Sequence, residues 1–120
     1  MPVVLALGLD PLFADLRSRP DLTPELVRSF IDSQLERVRA SGYEVVTCLV
    51  DAGTTAEAVL MDALAERTFD CVMFGAGLRA PEHLLLFEKL LNIVHTKAPQ
   101  AKLCFNTSPR DSYEAIQRWV

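Results

Sequence analysis

The residues with the most chemical potential fall in "FGAGLRAPEH", residues 74–83. Gly75 and Gly77 stand between an apolar run and a proline-led helix signal at Pro81, with Arg79 among them. Glycine lets a backbone approach an anion closely, the start of a helix presents unpaired N–H groups, and a guanidinium fork matches a phosphate. "GAGLRA" also fits the pattern GxGxxA. That dinucleotide signature, however, follows the first strand of its βαβ unit and needs an acidic residue about 20 positions later. Here the loop follows the third apolar run, and the next strand ends in Asn106. The chemistry expected is capture of a small anionic or polar ligand by Gly75, Gly77 and the start of the third helix. Arg79 would supply the counter-charge and Asp10 or Asn106 would orient the ligand, with Thr107, next to Asn106, in the same binding set. A simpler alternative stands beside it: two glycines for a tight turn, Pro81 to open a helix, and Arg79 paired with a surface carboxylate.

A second chemistry needs an acid and a base. Asp10 follows the first apolar run and His83 opens the third helix, so the two are candidates for an acid–base pair in a small hydrolase or isomerase. "CFNTSPR", Cys104 to Arg110, spells C-x5-R between a strand and a helix. A phosphate-cradling loop needs backbone N–H groups converging on one anion and a low-pKa thiolate at its mouth. Pro109 lacks the N–H, no glycine relaxes the loop, and Cys104 falls inside the apolar run. Ser108–Pro109 as a helix start and Cys104 as a packed strand residue account for the same letters. The other cysteines, Cys48 and Cys71, also lie in apolar runs; three thiols without CxxC spacing predict buried, reduced residues and no metal. His83 and His95 are twelve residues apart on one helix, which turns them away from each other, so they do not form a chelating pair.

The elements that must position these residues follow from periodicity. Runs 3–9, 43–50, 69–76 and 101–106 are short and nearly unbroken by polar residues, as in strands buried on both faces of a parallel sheet. Between them lie helix-period segments. Thr23 as N-cap, Pro24 and Gly42 bracket the first, whose stripe is Leu26, Val27, Phe30, Ile31, Leu35 and Val38. The second begins near Thr54 or Thr55 and runs to about Arg67, with Val59, Leu60, Ala63 and Leu64 inward. The third runs from Pro81 to before Pro99, and the fourth, capped by Ser108, presents Tyr113, Ile116 and Val120. This alternation predicts one domain over 1–120: a three-layer, doubly wound α/β fold with a four-stranded parallel sheet and four main helices.

Strand three is almost wholly apolar, whereas strand four carries Lys102 and strand two Glu44 and Thr47. The apolar strands belong in the middle, which favours the flavodoxin-like order 2-1-3-4 over 3-2-1-4. Right-handed crossovers then put helices two and three on one face, with helix one on the other and helix four returning beside it. In such a sheet ligands bind beyond the strands' carboxyl ends where the chain diverges, here between strands one and three. The connection 10–22 is long for its place; it is either a lid over that crevice or a one-turn helix that plugs the sheet's end, with Asp10 as its cap.

In size and alternation the chain resembles phosphoacceptor receiver domains. Those domains carry paired acids after strand one and an aspartate at the end of strand three. Here Asp10 is alone, strand three ends in Gly75, Asp70 sits at the strand's opposite end and a fifth strand is missing, so the resemblance reaches architecture and not chemistry. The stretches "FDCVMFGAGLR", "EKLLNIVHTKAP" and "KLCFNT" resemble those of short bacterial α/β proteins of flavodoxin-like architecture, which implies a bacterial, cytoplasmic protein and no particular activity.

Composition narrows the partners. A net charge of −4 with scattered Lys and Arg gives no basic face for nucleic acid. The start, "MPVVLALGLDPLF", meets Asp10 after nine residues, and Leu84–Val94 contains Glu88 and Lys89; neither reads as a membrane span. The third helix carries two apolar stripes, Leu84/Phe87/Leu91/Val94 and Leu86/Leu90/Ile93, more than one sheet face can cover. The expected use of the surplus is a homodimer through residues 81–98. Three functional expectations result: a binding or regulatory module for a small anionic or polar ligand, a small enzyme using Asp10 and His83, or a structural homodimer without ligand.

Overall fold

The computed structural model describes residues 1–120. Four strands, β1 (Val3–Leu9), β2 (Glu44–Val50), β3 (Cys71–Phe74) and β4 (Lys102–Phe105), form one parallel sheet in the order β2-β1-β3-β4. Four helices, α1 (Pro24–Ala40), α2 (Ala56–Glu66), α3 (Leu84–Lys97) and α4 (Ser112–Gln117), cover it. Helices α1 and α4 pack side by side on one face, α2 and α3 on the other. This is the order and layering that strand apolarity and right-handed crossovers predict.

Each layer has its own core. Leu5, Leu7, Cys48, Val72 and Phe74 point to α2 and α3, where Leu60, Leu90 and Val94 meet them. Val4, Ala6, Val45, Cys71, Met73 and Cys104 point to α1 and α4, against Leu35, Val38, Ala115 and Ile116. The alternation along β1 sends neighbouring residues to opposite layers, so both must be apolar.

The helix ends follow their local chemistry. Thr23 accepts from the Leu26 N–H and Pro24 opens α1; Gly42, just past its end, takes φ +101°. Helix α2 is capped from further upstream than expected: the Asp51 carboxylate accepts from the N–H of Thr55 and of Gly53 and from the Thr55 hydroxyl. Two expected helix starts are 3-10 turns instead. Pro81–His83 precedes α3, and Pro109–Asp111 precedes α4 behind a capping box between Ser108 and Asp111.

Several expected core positions face outward. Leu26 and Phe30 of α1 are exposed, while Ile31 lines the cavity at the end of β1. Val59 of α2 is exposed as well. In α3 the correction runs the other way. Leu90 and Val94 are buried, and Leu86, Phe87, Leu91 and Ile93 pack against the same core, so both stripes are largely covered. Of the two stripes only Leu84, 58% exposed, faces out, next to Leu85, 76% exposed, which belongs to neither. No helix is long and apolar enough to cross a membrane.

Candidate functional site at the carboxyl end of the sheet

The β1–β3 ladder ends at Leu7 and Phe74, whose side chains turn to the α2/α3 layer. The next residues, Gly8 and Gly75, therefore turn to the α1/α4 layer and lie side by side, held by the Gly75 N–H donating to the Leu7 carbonyl at 2.8 Å. Neither has a positive φ. Gly75 sits at φ −69°, ψ 153°, a conformation open to any residue, so the turn reading of this glycine does not explain it. What glycine supplies at Gly75 is room, whereas at Gly8 it lets the Leu49 side chain approach, whose Cδ2 would stand 3.2 Å from a Cβ there. With no side chains on two adjacent strands, the sheet is one layer thinner at this spot.

A cavity of about 80 Å³ occupies that room. Ala6, Gly8 and Gly75 form its floor, Ile31 and Leu35 of α1 its roof, and Ser112 at the start of α4 one wall. Thr47 and Leu49 of β2 close the opposite side. It lies between strands one and three at their carboxyl ends, the location the topology indicates.

Ala76 and Gly77 also line it, at the start of the 3-10 turn Ala76–Arg79. Gly77 packs closely, since a Cβ there would stand 3.4 Å from that of Leu9.

Arg79 is engaged elsewhere. Its guanidinium donates to the carbonyl oxygens of Phe74 and Asn106 and lies over the Phe105 ring, 5.1 Å from its centre. It thus ties the end of β3 to the end of β4, and it bonds main-chain carbonyls where a surface carboxylate was the simple expectation. Partial burial pulls this guanidinium below its ordinary pKa, offset in part by the nearby Asp111 carboxylate. The Phe105 ring is itself braced by Phe74 and Phe87, three rings in mutual edge-to-face contact at 5.6–5.8 Å.

Asn106 is 3% exposed and does not line the cavity; its link to it is through Ser112. Its Nδ2 donates to the Ser112 Oγ at 3.2 Å, and the Ser112 hydroxyl donates to the Pro109 carbonyl at 2.7 Å. The Asn106 Oδ1 is buried with no partner. Thr107 is spent on capping: its N–H and hydroxyl both go to the Asp111 carboxylate, at 2.8 and 2.7 Å. Burial works to raise the Asp111 carboxyl, but these bonds and that from the Ser108 N–H outweigh it and hold the group below the usual range.

No family model, curated protein or solved structure matches this chain.

The acid–base candidates do not meet. Asp10 caps the 3-10 turn Pro11–Phe13 by accepting from the Leu12 N–H, and it borders a surface hollow with Pro24, Glu25 and Arg28. His83 closes its own 3-10 turn ahead of α3, and no cavity is lined by both residues. The segment 10–22 neither lines the strand-end cavity nor tucks its aromatic inward. Leu12 and Phe13 are exposed, and local pairs Asp15–Arg17 and Arg19–Asp21 hold its shape.

Cys104 lies within β4, 2% exposed, with its Sγ 3.5 Å from that of Cys71 on β3. The C-x5-R spelling therefore places its sulfur in the α1/α4 core, away from the loop that follows. Asp70, at the amino end of β3, accepts from the Val3 N–H.

Sequence reasoning found Gly75 and Gly77 and missed Gly8, Thr47 and Ser112. The signal available for Gly8 was a lone glycine inside an otherwise apolar strand, which marks a bulge or a close approach.

Proposed function

We propose that the chain is a small-ligand binding module of flavodoxin-like architecture that seats its ligand over Gly8 and Gly75. One observation carries this reading: two glycines on adjacent strands open a cavity at the topological switch point, and neither is required by its backbone conformation. A packed core fills such space with side chains, because an unfilled hollow forfeits dispersion contacts. Retaining two glycines there makes sense if the space is used.

The acid–base alternative finds no support in the placement of Asp10 and His83. A thermal melt of wild type and of Gly75→Val against a panel of small metabolites tests the binding reading. A ligand at 100 times its Kd adds about 2.7 kcal/mol, on the order of ten degrees for a domain of this size. The expected result is a compound that raises the Tm of wild type and leaves that of Gly75→Val unmoved. A panel that moves neither protein overturns the proposal, as does one that moves both alike.

A further inference from the structure

We infer that the ligand of this cavity is a small uncharged molecule that donates a hydrogen bond, an alcohol or amide on a short apolar skeleton, and not an anion. The inference rests on the binding reading above and specifies its chemistry.

The first support is the absence of charge. None of the residues that line the cavity is ionisable; the polar side chains among them are Thr47 and Ser112 alone. A charged ligand would shed its hydration with no counter-charge to compensate it. Arg79, the obvious counter-charge in the sequence, has its fork on the Phe74 and Asn106 carbonyls and does not border the cavity.

The second support is the bias of the polar wall toward acceptors. The Ser112 hydroxyl spends its only proton on the Pro109 carbonyl, so what Oγ has left to offer is a lone pair. Behind it the buried Asn106 Oδ1 also lacks a donor. Burying an acceptor without a partner is costly; of this pair the cavity reaches only the Ser112 Oγ, which accepts from a ligand hydroxyl or N–H.

The third is size. A cavity of roughly 150 Å³ takes benzene. At that ratio the volume here, about 80 Å³, encloses about three heavy atoms, and a slightly longer skeleton reaches out through the open side.

The test is a ¹H–¹⁵N NMR titration with four matched probes: isobutanol, methyl isopropyl ether, isobutyrate and isobutylammonium. The Gly8 and Gly75 amides report. Isobutanol is expected to shift both saturably, with the other three at least tenfold weaker. Gly75→Val and the milder Gly75→Ala are expected to abolish or weaken the isobutanol response at Gly8, and Ser112→Ala to bring isobutanol and the ether within threefold. Binding of isobutyrate or isobutylammonium equal to that of isobutanol overturns the uncharged class, and equal binding of the ether overturns the donor requirement; both leave the cavity standing as a site. If isobutanol shifts neither glycine, or shifts Gly8 equally in all variants, this inference fails; if no probe moves Gly8 or Gly75, the binding reading fails with it.

Discussion

Gly75 packs against Gly8 across the β1–β3 boundary, where a Cβ on Gly75 would stand 3.4 Å from the Gly8 Cα and 3.5 Å from the Leu7 carbonyl oxygen. These are ordinary contact distances, so the site accepts a methyl group. The two glycines are a matter of space and not of backbone strain.

That distinction predicts opposite results at two glycines. Gly75→Ala leaves stability within about 1 kcal/mol of wild type, because alanine adopts the native backbone and the unfolded chain loses freedom. Gly42→Ala costs about 1–2 kcal/mol, since φ +101° strains any residue with a Cβ. Urea denaturation of the two variants checks this. A Gly75→Ala loss as large as that of Gly42→Ala would contradict the packing account.

Arg79 predicts a structural role for the loop's only cation. Its bonds to the Phe74 and Asn106 carbonyls bridge the ends of two strands. Charged hydrogen bonds of this kind contribute about 1.5–3 kcal/mol, so Arg79→Ala is expected to destabilise by that amount. Arg79→Lys recovers less than half, because an ammonium is a point charge and not a planar fork. Denaturant midpoints decide it; an Arg79→Ala protein as stable as wild type refutes the bridge.

Acid is predicted to unfold the protein through its capping aspartates. Hydrogen bonds from the Gly53 N–H and the Thr55 hydroxyl hold Asp51 below the usual carboxylate range, and those at Thr107 and Ser108 do the same for Asp111 against its burial. With folded pKa values depressed, the unfolded chain binds more protons in acid. The contribution is present above about pH 4, the ordinary aspartate value, and is lost as pH falls through the folded values. Melting temperatures from pH 7 to pH 2 are expected to fall most steeply below pH 4. The double variant Asp51→Asn, Asp111→Asn starts lower at pH 7 and falls less; parallel curves would dismiss these two groups.

The thiols are predicted to be inert while the protein is folded. Burial pushes the Cys48 thiol up to about 11, and a hydrogen bond shared with Cys104, together with burial, pushes Cys71 up. The same bond lowers Cys104, whose protection is its burial, 2% exposed in the core. At pH 8 a thiol of pKa 11 is thiolate in about one molecule in a thousand, and access is closed besides. Alkylation by iodoacetamide is expected at under about 1% of the denatured rate. A native thiol that reacts within minutes would reopen the catalytic reading of Cys104.

What the sequence by itself determined was the element order and the sheet order, and with them the strand ends where the cavity lies. Those rest on local signals: four unbroken apolar runs, Thr23–Pro24 and Gly42 at the ends of α1, and the lower polarity of strands one and three. Gly75 and Gly77 were legible for the same reason, as glycines where a strand meets a helix. Tertiary structure decided what those glycines face. Gly8 and Gly75 are 67 positions apart, and only the register of β1 against β3 sets them side by side. Arg79 turned to the Asn106 carbonyl because the fold brings the end of β4 within its reach. The apolar surplus on α3 is covered because Leu86, Phe87, Leu91 and Ile93 all pack against one core, with Phe87 also meeting rings from β3 and β4. Apolar pattern reports which face of an element is buried, by the energy of removing it from water. It carries no information on which partner does the burying, and the shape of a cavity is set by partners.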